Sequence, residues 1–94
     1  MTNSPTQNLQ TYKFTQSAAR DYEFFVKNDP KIAKKINRLV LNILETPYAG
    51  LGKPEQLRYE LTGFWSRRIN AEHRLVYRVI EDEVQIISCR FHYK

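Results

Sequence analysis

Ninety-four residues make one domain with a single core and leave no length for a second. A hydrophobic fraction of 41% with 27% charged residues excludes wholesale disorder, and no apolar run approaches the ~18 residues of a membrane span. Fifteen Lys and Arg against ten Asp and Glu give +5 and point to an anionic partner, while the lone Cys89 excludes an internal disulfide and suits a reducing, cytoplasmic setting.

Residues 1–10 (MTNSPTQNLQ) are polar and uncharged, without the basic start and apolar stretch of a secretory signal. They read as a flexible tail before a single domain at 11–94. Tyr12-Lys13-Phe14 alternates as a short first strand, and Thr15 stands where a helix N-cap belongs. Ala18, Tyr22, Phe25 and Val26 then recur at helical spacing and predict a helix ending near Asn28. Asp29-Pro30 restarts a helix, with Asp29 as cap and Pro30 at the first helical position, where its missing N–H costs nothing. Ile32, Ile36, Leu39, Val40, Ile43 and Leu44 form its apolar stripe, and Thr46-Pro47 stops it. So short a link packs the two helices as an antiparallel hairpin.

Residues 47–55 (PYAGLGKPE) hold two glycines and two prolines and read as a loop rather than a strand. After them the period becomes two: Leu57, Tyr59 and Leu61 alternate as a strand, and Thr62-Gly63 turns the chain. Further strands are predicted at Phe64–Asn70, Arg74–Ile80 and Val84–Tyr93, the last two separated by the acidic turn 81–83. Four strands after a helical hairpin predict an α+β fold, a mostly antiparallel sheet with both helices on one face.

Polar side chains on the uncovered face are available for work. Strand parity puts Ser66 with Arg68, opposite Trp65, Arg67 and Ile69, and puts Arg90 with His92, pointing away from the helices. Between Lys53 and Ile80 stand six cations (Lys53, Arg58, Arg67, Arg68, Arg74, Arg78) against three carboxylates. Five of the six are Arg, whose planar fork grips phosphate in two places, and aromatic residues are interleaved as a base-stacking surface requires. An ordinary sheet surface explains the same composition equally well.

Neither histidine has a partner at metal-ligand spacing, and no serine sits in a nucleophile elbow. Glu55, Arg74 and His92 remain, a set suited to RNA cleavage without metal or cofactor. RNA carries its own nucleophile, the 2′-hydroxyl. The protein must supply a base to take that proton, a cation to hold the extra charge of the phosphorane, and an acid for the departing 5′-oxygen. A carboxylate is a base at neutral pH, and an imidazole stays protonated beside an anion such as a bound phosphate. Composition and spacing leave a nuclease and an RNA-binding module near parity.

Gly52-Lys53-Pro54-Glu55, Leu61–Ile69 (LTGFWSRRI), Glu72–Tyr77 (EHRLVY) and Cys89–Tyr93 (CRFHY) closely resemble the YoeB/Txe toxins of the RelE-like toxin–antitoxin superfamily. The likeness runs from about Tyr12 to Tyr93. It implies a ribosome-dependent mRNA endonuclease that cuts in the ribosomal A site, inhibits translation, and leaves a cyclic or 3′-phosphate and a 5′-hydroxyl. By position, Glu55 would be the general base and His92 the general acid. Arg74, helped by Arg68, would stabilise the transition state, and Lys53, Arg58 and Tyr93 would bind phosphate or shape the site. Arg58 stands where the family commonly has Lys, Leu51 where a polar residue is expected, and Lys94 extends past the usual terminal Tyr. The implied partners are a YefM-like antitoxin, the ribosome with its mRNA, operator DNA through the antitoxin complex, and a second copy of the chain. ParE-like toxins, which poison gyrase on a similar scaffold, and a catalytically idle RNA-binding or corepressor module are the competing readings.

Overall fold

In a computed structural model, which describes Leu9 and residues 11–91, the chain forms an α+β fold. The elements are β1 (Thr11–Phe14), α1 (Gln16–Asn28), α2 (Pro30–Glu45), β2 (Glu55–Gln56), β3 (Trp65–Arg68), β4 (Arg74–Ile80) and β5 (Glu83–Ser88). Thr15 caps α1: its Oγ1 accepts the Ala18 N–H at 3.1 Å and donates to the Ile87 carbonyl, tying the helix start to β5. Asp29 ends α1 through an N–H to the Phe25 carbonyl and starts α2, but its side chain makes no capping bond. Pro30 supplies the first-turn geometry instead. Asn37 Nδ2 donates to the Tyr22 hydroxyl across the pair, as an antiparallel hairpin hinged at Asp29 requires.

The sheet order is β1-β5-β4-β3-β2, antiparallel except for β1, which lies parallel to β5. Both helices cover one face. Their buried Ala18, Phe25, Ile36, Leu39, Val40 and Ile43 meet Leu75, Tyr77, Val84, Ile86 and Cys89 from the sheet. Each large apolar side chain so buried contributes ~1.5–3 kcal/mol. Leu9, inside the expected tail, is buried and donates its N–H to the Leu44 carbonyl; the rest of 1–10 lies outside the described residues.

Three expectations are corrected. The alternation Leu57, Tyr59, Leu61 is not a strand: Tyr59–Leu61 is a 3₁₀ turn, entered through a left-handed Tyr59 (φ 60°). The short β2 falls instead at Glu55–Gln56, within the predicted loop. The last strand stops at Ser88, and Arg90 does not project from the uncovered face; its guanidinium lies 3.5 Å from the Phe24 ring centre on α1. A register shift between Val76 and Tyr77 pairs them with Ser88 and Ile86, leaving Ile87 as the extra residue of a bulge. Simple alternation therefore fails along β5, and Ile86, of the same parity as Arg90, is in the core.

Cys89 is fully buried with its Sγ 3.6 Å from the Ala18 carbonyl, and its N–H donates to Asp21 Oδ2. Burial, and secondarily the Asp21 carboxylate, push its thiol up to about 12. The native state therefore holds this proton more tightly than the unfolded chain, and the resulting stabilisation is lost as pH rises from about 9 towards 12. At pH 8 the native protein is expected to resist a thiol-specific reagent, with modification appearing at the rate of unfolding; fast labelling of folded protein would contradict the burial. Among the described residues, no helix is long and apolar enough to cross a membrane.

Candidate active site

Cross-strand partners share a face, so the register sorts the candidate residues. Trp65 pairs with Tyr77 and Arg67 with Leu75, and these four side chains face the helices. Glu55 pairs with Ser66, Ser66 with Val76, and Arg68 with Arg74, so all five lie on the opposite face. At about 4.8 Å between strands and 3.3 Å per residue, the Cα atoms of Glu55 and Arg74 stand roughly 12 Å apart, a gap that two long side chains close to the size of one phosphate. The parity expected for Ser66 and Arg68 against Trp65 and Arg67 holds.

This face is only partly open. Ser66 is fully buried, and Leu57 and Val76 are buried apart from the main core. Glu55, Arg58, Arg68 and Lys53 are exposed, and Arg74 is half-buried. Ser66 Oγ and Arg74 Nε are buried without a hydrogen-bond partner among the described residues, a cost that folded proteins tolerate where a ligand is to be met. Arg74 forms no ion pair with Glu72 or Glu60; within salt-bridge range, Glu72 instead meets His73 Nε2, at 3.6 Å.

The glycine-bearing segment before β2 brings a cation to this face. Arg68 N–H donates to the Gly52 carbonyl at 2.7 Å, so Lys53 follows directly beside Arg68. Gly52 has φ 80°, and a Cβ there would lie 3.0 Å from the Arg68 carbonyl oxygen, so this close approach needs glycine. Lys53 itself is left-handed (φ 53°). Residues 54–62 curl around an open cavity with Glu55, Arg58 and Tyr59 in its wall, and Tyr59 is 88% exposed. At the other end, Arg74 N–H donates to the Phe91 carbonyl at 3.1 Å. That bond joins β4 to the residue preceding His92. His92, Tyr93 and Lys94 lie outside the described residues.

Arg67 was counted with the phosphate-gripping cations, and the structure assigns it elsewhere. Its side chain is fully buried, and all five N–H donors are used: Nε to the Tyr77 hydroxyl, Nη1 to Asn42 Oδ1 and the Leu51 carbonyl, and Nη2 to the Thr46 and Ala49 carbonyls. None of these acceptors carries a full charge; the guanidinium rests on carbonyl dipoles at the C-terminal end of α2. The Tyr77 hydroxyl passes the chain on to the Pro47 carbonyl at 2.6 Å. Burial raises the Tyr77 pKa above its ordinary value, with Arg67 pulling the other way. Arg67 thus pins the 46–51 loop, and through it the approach to Lys53 and Glu55. Asn42, which also accepts the Leu51 N–H, completes the anchor. The inward parity of Arg67 was the sequence signal for this role.

Among the described residues, no group of three His, Cys, Asp or Glu side chains gathers to hold a metal. The arrangement is a carboxylate, an exposed guanidinium and a half-buried one on one face, with Lys53 following Gly52 beside Arg68, Arg58 in the cavity wall with Glu55, and Phe91 fastened to the Arg74 backbone.

A family model described as the YoeB-like toxin of bacterial type II toxin–antitoxin systems matches residues 14–93. The chain is 52% identical over 81 residues to a YoeB toxin of Synechocystis, covering 86% of this chain and 94% of that one. It resembles the YoeB dimer of Staphylococcus aureus (TM-score 0.84, 47% identity, 92% of this chain and 99% of that one). The toxin in the heterotetrameric YoeB–YefM complex of the same organism is similar (TM-score 0.81, 48% identity, 87% and 95%).

Proposed function

The chain belongs to the YoeB-like toxins of bacterial type II toxin–antitoxin systems, and from that premise we propose that it is a ribosome-dependent mRNA endonuclease. It cleaves in the A site by attack of the RNA's own 2′-hydroxyl, and so inhibits translation. The observation that carries this reading is the shared sheet face of Glu55, Arg68 and Arg74, with the backbone of Arg74 bonded to Phe91, the neighbour of His92.

In the proposed step Glu55 takes the 2′-hydroxyl proton as the oxygen attacks phosphorus. The guanidinium of Arg74, with Arg68 beside it, holds the charge of the phosphorane. His92 protonates the departing 5′-oxygen, leaving a 2′,3′-cyclic phosphate and a 5′-hydroxyl. Lys53 and Arg58 hold the flanking phosphates, and Tyr93 shapes the site. Its partners, in this reading, are a YefM-like antitoxin, a second copy of the chain, and operator DNA bound through the antitoxin. Its place of action is cytoplasmic, on the ribosome.

Induction without antitoxin should arrest growth and generate new 5′-hydroxyl mRNA ends within A-site codons. Arrest with intact mRNA and altered DNA supercoiling would favour the gyrase-directed alternative. Arrest that survives both Glu55→Ala and His92→Ala would favour an idle RNA-binding module.

A further inference from the structure

His73 lies outside the acid, base and cation set, yet it is 6% exposed and its ring is fixed on every side. Its Nδ1 accepts the Phe91 N–H at 2.7 Å, so the ring proton sits on Nε2, which faces Glu72 Oε1 at 3.6 Å. The ring packs edge-on against Phe25 of α1, with centroids 4.9 Å apart, and lies 5.5 Å from the Phe91 ring. Its backbone is equally held. Asn70 Oδ1 accepts the His73 N–H at 2.7 Å, and the His73 carbonyl accepts the Ile69 and Asn70 N–H groups.

Phe91 is therefore gripped at both backbone polar groups by consecutive residues. Its N–H goes to the His73 ring, and its carbonyl accepts from the Arg74 N–H. It is also left-handed (φ 64°), a conformation that a bulky residue holds only where the surroundings impose it. The β-ladder has already ended at Ser88, so these side-chain and backbone bonds, not sheet pairing, hold Phe91 in place.

We infer that His73 is a positioning residue for the proposed acid: its Nδ1 fixes the kink at Phe91, the residue before His92, and the function of His92 depends on that hold. This rests on the reading of His92 as the acid. The role needs an acceptor at one ring position. Asn places its Oδ1 near the site of Nδ1, whereas Leu fills the space without accepting.

The test is single-turnover cleavage of ribosome-bound mRNA by His73→Leu, His73→Asn and His92→Ala. A second substrate carries sulfur in place of the scissile 5′-oxygen, a leaving group that departs without an acid. His73→Leu should lose ~10²-fold in the chemical step, the penalty of a misaimed catalytic group, with KM within about twofold. His73→Asn should recover most of the loss, and the sulfur substrate should be cleaved by all three variants nearly as by wild type. Equal losses in the Leu and Asn variants, or a loss confined to KM, would overturn the positioning role. Wild-type rates for His92→Ala would instead overturn the acid reading beneath it. Should His73→Leu not fold, the wild-type protein still decides: a scalar coupling across the Phe91 N–H and His73 Nδ1 is expected, and its absence overturns the inference.

Discussion

Arg67→Ala is expected to lower the melting temperature by roughly 12 °C or more. The estimate takes ~3 kcal/mol as a lower figure for removing a fully bonded buried cation and 4–8 °C per kcal/mol for a domain of this size. The substitution takes a donor from the Tyr77 hydroxyl, Asn42 Oδ1 and three loop carbonyls together, and it leaves a void beside Tyr77. Arg67→Lys should recover little, because one ammonium cannot meet five acceptors laid out for a planar fork. A melting temperature within a few degrees of wild type would show that the 46–51 loop does not depend on this anchor.

Glu55→Gln is expected to slow single-turnover cleavage by ~10²–10⁴-fold while leaving KM nearly unchanged, as befits a base that acts only as the proton moves. The exchange keeps size and hydrogen-bonding reach, and Glu55 is exposed on the short β2, so melting should shift by no more than a surface substitution does. A variant that cleaves at the wild-type rate would remove Glu55 from the mechanism. A fall in melting temperature that tracks the fall in rate would make it structural.

Much of this architecture is legible in the residues. The stripe of α2 declares itself because six apolar positions repeat at one helical period, and Thr15 announces α1 because a hydroxyl at that place meets the free N–H of Ala18. The division of β3 into Arg67 inward and Arg68 outward follows from alternation alone. The failures have local causes. β2 is two residues long beside Pro54, too short to show a period, and Leu57–Leu61 imitates a strand although Tyr59 reverses the chain by a left-handed φ. On β5 the bulge at Ile87 changes the parity, so Arg90 was assigned a direction that the ended ladder no longer imposes. The partners of Arg67 and His73 were hidden for another reason. Each depends on carbonyls or N–H groups brought near by folding, and backbone groups carry no mark in a sequence.

The parallel pairing of β1 with β5 joins residues some seventy positions apart, and Thr15 and Asp21 reach across the same interval to Ile87 and Cys89. Such high contact order has a cost in time, since a nascent chain holding both helices still has no partner for β1 and no floor beneath the hairpin. The fold closes only after the codons for 83–88 have been read. A translation product halted earlier would then be a substrate for proteases and not a folded toxin.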